Sequence, residues 1–194
     1  MGKATGPTYV VAFRRRRKNL TNYGKRMKLL KSGKTRMVVR RSNRNVIVQF
    51  INYSEKGDVT VASASSKELE GMGWQSRCNT PTAYLTGMLA GKKAREKGVG
   101  EFVLDIGLAT PSKGALVFAA AKGAIDAGVK TKFDDGMVDW SRIRGEHIAK
   151  YAESLKGKPE YEKLFSAYLK ANFAPEKIPE VFDRVKEQIA KGGR

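Results

Sequence analysis

Residues 35–65, TRMVVRRSNRNVIVQFINYSEKGDVTVASAS, decide how the chain folds. TRMVVRR and VIVQFIN are rich in β-branched residues and flank the polar tip Ser42-Asn43-Arg44-Asn45, the pattern of a hairpin. Lys56-Gly57-Asp58 marks a second turn, after which VTVASAS alternates valine and small residues as a third strand does. Downstream, Lys67 to Asn79 reads as a polar, glycine-containing connection. Thr80 is suited to cap a helix and Pro81 to open it, and Gly98 stops it after about Lys97. Leu85, Met88 and Leu89 form its apolar stripe, while Ala83, Gly87 and Gly91, at four-residue steps, admit the close approach of another backbone. Phe102-Val103-Leu104 leads a fourth strand ending near Leu108, apolar enough to be covered on both faces. Thr110 or Ser112 is expected to cap a second helix that ends at Gly128, and Val129 to Phe133 reads as a short fifth strand.

From Asp134 the composition changes, and SRIRGEHIAKYAESL, PEYEKLFSAYLKANF and PEVFDRVKEQIAKGG read as three helices, the last two opened by Pro159 and Pro179. Upstream of the strands, MGKATGPTYVVAF has no helical period. In RRRRKNLTNYGKRMKLLKSGK, Leu20, Tyr23, Met27 and Leu30 recur at three- and four-residue steps, which predicts a short helix stopped by Gly33. The fold class expected is α/β: a three-stranded start, then a βαβαβ-like mixed sheet with helices packed on it. The expected parts are a basic arm over 1–34, an α/β core over 35–133 and a helical extension over 134–194.

Charge is distributed as unevenly as structure. The chain of 194 residues carries a net charge of +19. Residues 1–54 hold 15 Lys or Arg and no Asp or Glu, whereas 55–194 hold 23 basic and 19 acidic residues. Such a segment repels itself until a polyanion neutralises it, and it is expected to order on that partner. Arg14, Arg15, Arg16, Arg17 and Lys18 form an unbroken basic run, followed by Lys25, Arg26, Lys28, Lys31 and Lys34. The arginine fork matches phosphate oxygens and stacks on bases, and Tyr9, Phe13 and Tyr23 interleave as further stacking surfaces. The basic series continues into the strands as Arg36, Arg40, Arg41 and Arg44, the last two beside Ser42 and Asn43 at the hairpin tip. A membrane-bound helix has no use for a basic hairpin, so nucleic acid fits better than a lipid surface.

Other chemistries find little footing. A single cysteine, Cys78, rules out an internal disulfide or a Cys-only zinc site and fits a reducing compartment. Lys3 is followed by arginines where a signal peptide would need its apolar stretch, and no run of 18 apolar residues exists. Gly33-Lys34-Thr35 resembles the end of a P-loop, but Lys28 stands where the first glycine belongs. Gly98 and Gly100 precede a strand, not a helix, against the dinucleotide pattern. A two-metal nuclease needs clustered carboxylates, and Asp105 is alone in its strand. His147 is the only histidine, and Asp134, Asp135 and Asp139 suit helix capping. Trp74 and Trp140 lie outside the main elements and are available to dock the extension or a partner. No catalytic residue, cofactor, metal or small-molecule substrate is expected. A metal-dependent RNA-processing enzyme and a general RNA chaperone remain as alternatives to a passive RNA binder.

Four stretches together resemble a known family: YVVAFRRRRKNLTNYGKRMKLLKSGK (9–34), RMVVRRSNRNVIVQ (36–49), NTPTAYLTGMLAGKKA (79–94) and VLDIGLATPSKGALVFAAAKGAIDAG (103–128). They are similar to the archaeal form of the universal large-subunit ribosomal protein eighteen, and RIRGEHIAKYA (142–152) is similar to the extension found in archaeal and eukaryotic members. The resemblance implies a cytoplasmic protein of the large ribosomal subunit that binds 5S ribosomal RNA in the central protuberance. It implies large-subunit RNA and another 5S-binding ribosomal protein as neighbours. By resemblance, Arg14 to Lys18, Asn19, Tyr23, Lys25 and Arg26 fall in the RNA-gripping arm. Arg40, Arg41, Ser42, Asn43 and Arg44 fall in an RNA-facing hairpin, and Thr110, Ser112 and Lys113 in a further contact loop where a helix N-terminus favours phosphate.

Overall fold

The computed structural model of the chain describes residues 6–192, so Lys3 and the start of the arm lie outside the described residues. Two short helices, α1 (Arg14–Arg17) and α2 (Tyr23–Leu30), precede strands β1 (Thr35–Arg41), β2 (Val46–Asn52) and β3 (Val59–Ser65), whose bounds are those of the three runs quoted above. β1 and β2 pair antiparallel with Arg41 opposite Val46, and β2 and β3 likewise with one irregularity between Phe50 and Ile51. The tip is closed by the Ser42 amide donating to the Asn45 carbonyl (2.8 Å) and the Asn45 amide donating to the Ser42 hydroxyl (3.0 Å).

The expected plain connection after β3 contains a 3-10 helix, Ser66–Met72. Its N-cap is Ser65, and Glu68 reaches back to accept the Ser65 amide at 2.8 Å. α3 (Thr80–Glu96) is capped by Asn79, not Thr80: the Asn79 side chain accepts the Thr82 amide at 3.1 Å, and Thr80 is already helical. Gly98, at φ +80°, ends it. β4 (Phe102–Asp105) returns parallel to β1, giving the sheet order β3-β2-β1-β4. This strand stops earlier than expected, because the Asp105 carboxylate accepts the Gly107 amide at 2.9 Å and turns the chain. As an edge strand it is also covered incompletely, with Val103 and Leu104 half-buried. α4 (Leu116–Asp126) is capped by Ala115 without a side-chain bond, so neither Thr110 nor Ser112 caps it; both lie in the loop before it. The expected fifth strand is a single bridge between Glu101 and Lys130, after which the chain leaves the sheet edge.

Met37, Val39, Val48, Phe50, Ala62 and Ala64 are buried on the sheet face that α3 covers. α4 lies against α3 at a distance only glycine permits. A Cβ on Gly87 would stand 2.0 Å from the Ala120 carbonyl oxygen, and one on Gly123 would stand 2.1 Å from that of Tyr84.

The C-terminal segment is helical as expected, but its first expected helix is two: α5 (Trp140–Arg144) and α6 (Glu146–Leu155). Gly145 separates them at φ +83°, where a Cβ would meet Ile178 at 2.6 Å. α7 (Pro159–Leu169) and α8 (Ile178–Lys191) follow. Trp74 is buried against Phe173 and Phe182 and donates its indole N–H to Thr82 (2.9 Å); Trp140 meets the Tyr84 ring edge-on at 5.4 Å. Through these contacts one apolar cluster runs from the strands to Ile143, Ala152, Phe182 and Val185. Asp134 and Asp139 cap the turns after them, as their spacing suggests. Among the described residues no helix is long and apolar enough to cross a membrane.

Candidate nucleic-acid interface

The sheet has a second face, away from α3, and alternation along β1 puts Arg36, Val38 and Arg40 on it. Arg36 was expected to face RNA. The structure instead buries it to 3% exposure and engages both terminal nitrogens, Nη1 with Asp105 (3.0 Å) and Nη2 with Asp58 (2.6 Å). A guanidinium so enclosed has no edge left for a phosphate. Arg40, four residues on, is exposed and lies over Gly107, with a more distant approach to Asp105 (3.9 Å).

Asp58 also fixes the arm. Arg26 of α2 donates to its other oxygen at 2.9 Å. Burial raises the carboxyl's affinity for a proton, but the bonds from Arg26 and Arg36 outweigh this and hold its pKa below the usual carboxylate value. Asn22 caps α2 by accepting the Lys25 amide (3.0 Å). The helix does not bury the stripe its periodicity suggested: Met27 and, before the helix, Leu20 are exposed, while Tyr23, Arg26, Leu29 and Leu30 are partly covered. An ion pair, with Leu29 beside it, sets which side faces the sheet.

The remaining candidates divide by exposure. Arg14 to Arg17 make up the whole of α1, and every side chain in it is exposed, as is Lys18. Asn19 turns the chain at φ +50°, and the Phe13 and Tyr23 rings pack with centres 5.3 Å apart. Arg15 is steadied by the Thr21 hydroxyl (2.8 Å), and Lys25 and Lys28 point to solvent on α2. Lys34 pairs with Glu101, whose carboxyl is driven below its usual pKa by that hydrogen bond. Arg41, Ser42, Asn43 and Arg44 are all exposed at the hairpin tip. Ser112 and Lys113 are exposed in the loop before α4.

Arm, β1 and the turn after β4 together enclose a cleft of about 710 Å³. Arg15, Tyr23, Lys25, Arg26, Lys28 and Arg40 line it, whereas the hairpin tip and Ser112-Lys113 do not. Sequence reasoning missed Asp58 and Asp105 as partners and Leu20, Leu29 and Ile106 as walls. No local signal pointed to them, because Arg36 shares its strand with Arg40 and Arg41 and only the fold brings Asp58 and Asp105 to it. Among the described residues no group of three or more His, Cys, Asp or Glu side chains is placed to hold a metal ion.

Comparison with known proteins places the chain in a family. The family model described as "Ribosomal large subunit proteins 60S L5, and 50S L18" matches residues 7–101. A large ribosomal subunit protein uL18 of Thermofilum pendens is 53% identical over 190 residues, covering 96% of this chain and 97% of the relative. The uL18 proteins of Methanothermobacter thermautotrophicus and Saccharolobus solfataricus are each 50% identical, over 96% and 98% of this chain and 97% and 98% of their own lengths. With half of its residues shared along almost its whole length, this chain belongs to the uL18 family of large-ribosomal-subunit proteins.

Proposed function

We propose that this protein is a structural constituent of the large ribosomal subunit in the cytoplasm, and that it binds 5S ribosomal RNA and helps attach it to the large-subunit RNA in the central protuberance. Its neighbours there include another 5S-binding ribosomal protein, and it performs no catalysis. Family membership supports the ribosomal role. The observation that carries the RNA-binding reading is the row of exposed cations, Arg14 to Lys18, Lys25, Lys28, Arg40, Arg41 and Arg44, on a chain whose first 54 residues contain no carboxylate.

The work is electrostatic and geometric. Exposed arginines and lysines displace counterions from phosphates, which gives affinity without sequence preference. Asn19, Tyr23, Lys34, Ser42 and Asn43 stand close enough in sequence to those cations to add hydrogen bonds and stacking, and Ser112 and Lys113, exposed in the loop before α4, offer a separate contact. Selectivity for a folded RNA then comes from unpaired bases and backbone shape, because the deep groove of an RNA duplex is closed to side chains. Arg26 and Arg36 serve indirectly, by fastening the arm to the sheet.

Binding of the full chain to 5S RNA, to an unrelated structured RNA and to a plain duplex at physiological salt tests the reading. Tighter binding to 5S RNA is expected, with a loss of at least tenfold when Arg14 to Arg17 are all changed to Gln. Equal affinity for all three RNAs would make it a general chaperone, and metal-dependent cleavage of 5S RNA would make it an enzyme.

A further inference from the structure

The cleft between the arm and the turn after β4 has a composition that phosphate binding alone does not explain. Its walls include Leu20, Leu29, Leu104 and Ile106, and its rim carries Arg15, Lys25, Lys28 and Arg40. A site for phosphate has no use for four aliphatic side chains, and a site for an apolar ligand has no use for four cations. The two carboxylates in the cleft, Asp58 and Asp105, are engaged by Arg26, Arg36 and the Gly107 amide, which leaves the rim net positive.

We propose that this cleft seats one unpaired base of the bound RNA, extruded from its stack, while the rim cations hold the phosphates on either side of it. The proposal rests on the RNA-binding reading and adds to it a specific place where a nucleotide is enclosed. Size agrees: about 710 Å³ falls within the range of roughly 300–1,000 Å³ typical of small-ligand sites, and a nucleotide with its flanking phosphates belongs in that range. Flatness agrees as well. Tyr23, braced by Phe13, supplies an aromatic wall, and stacking on such a ring accepts any base. A paired base cannot enter, because its faces are covered by its neighbours and its edge by its partner. The cleft therefore selects RNA that offers a looped-out nucleotide at the right distance from the phosphates gripped by α1. Leu20 is placed to sense the occupant: it lines the cleft, yet more than half of its surface is free, at 55% exposure.

The test compares two variants of equal charge. Leu20→Glu puts a carboxylate in the apolar wall. Met27→Glu puts one on the same arm, at 58% exposure, outside the cleft. Both positions are exposed, so neither change should unfold the chain, and a thermal melt checks this. The probe is 5S ribosomal RNA, read by affinity and by zero-length ultraviolet crosslinking with peptide mapping. The wild-type complex should crosslink at Tyr23 or within residues 104–107. Leu20→Glu should abolish those crosslinks and weaken binding at least tenfold more than Met27→Glu. Equal losses for the two variants, with crosslinks confined to residues 16–18 and 41–44, would overturn the cleft as a base site and leave the RNA-binding reading standing. Absence of wild-type binding to 5S RNA would overturn both.

Discussion

Arg36 joins two carboxylates that are far from it along the chain, 22 residues away at Asp58 and 69 at Asp105. Exposed pairs such as Lys191–Glu187 contribute at most about 1 kcal/mol, because water and salt screen them. Arg36 is different because its charge is out of water. Arg36→Met leaves Asp105, itself 8% exposed, with only the distant Arg40 opposite, and breaking a buried pair from one side costs about 3–5 kcal/mol. Urea unfolding at neutral pH should show a loss of that size. The Asp58 carboxyl titrates below its usual value in the folded chain, so its contribution to stability is complete above the unfolded value, about pH 4, and fades as pH falls through the lower folded value. The stability gap between wild type and Asp58→Asn should therefore be constant near neutrality and narrow below about pH 4. A gap that widened in acid would assign the anchoring to another group. Neither residue's role is readable from sequence. Arg36 and Arg40 share a strand, a face and a charge, and only the folded positions of Asp58 and Asp105 bury one and leave the other exposed.

Elements were more legible than contacts wherever the signal was local. β1 to β3 follow from alternation and from turn residues that sit between them, and α3 follows from its proline start and glycine stop. The four-residue spacing of Gly87 and Gly91 pointed to a close helix contact, and α4 supplies it, with Gly123 as the unforeseen reciprocal gap. Missed features had non-local causes. Val129 to Phe133 have the sequence of a strand, but only Lys130 pairs, in a single bridge to Glu101. Ser112 is a good capping residue, yet α4 begins only at Leu116, where its apolar face meets α3. The glycine contact predicts its own sensitivity. Gly87→Ala places a methyl group 2.0 Å from a backbone oxygen that cannot rotate away, so the helices must separate. The cost should reach or exceed the upper end of the usual overpacking range of about 1–3 kcal/mol. Gly91→Ala, whose nearest neighbour would be at 2.9 Å, should cost less. Thermal melts of the two variants check the order, and equal losses would mean that α3 and α4 slide freely on each other.

At the scale of the whole molecule the question is how fifteen leading cations are shared between holding the fold together and meeting a polyanion. Arg26, Lys34, Arg36 and Arg40 each have a carboxylate of this chain within 4 Å. Among the described residues, Arg14 to Lys18, Lys25, Lys28, Lys31, Arg41 and Arg44 have none, which leaves ten cations without an internal counterion. A cation already paired releases little when it meets RNA, because its field is spent on its partner. A free one displaces a counterion, and each displacement adds about 0.7–0.9 to the slope of log affinity against log salt. If about six of the ten reach phosphates, the affinity for 5S RNA should fall by roughly 4–5 decades per decade of salt. The division also predicts which arginines control that slope. Arg17→Gln should lower it by close to one contact, whereas Arg26→Gln should leave the slope nearly intact and act instead through stability, by loosening α2 from Asp58. Titrations at several salt concentrations separate the two effects, and a slope that fell equally for both variants would mean that the internal ion pairs open when RNA binds.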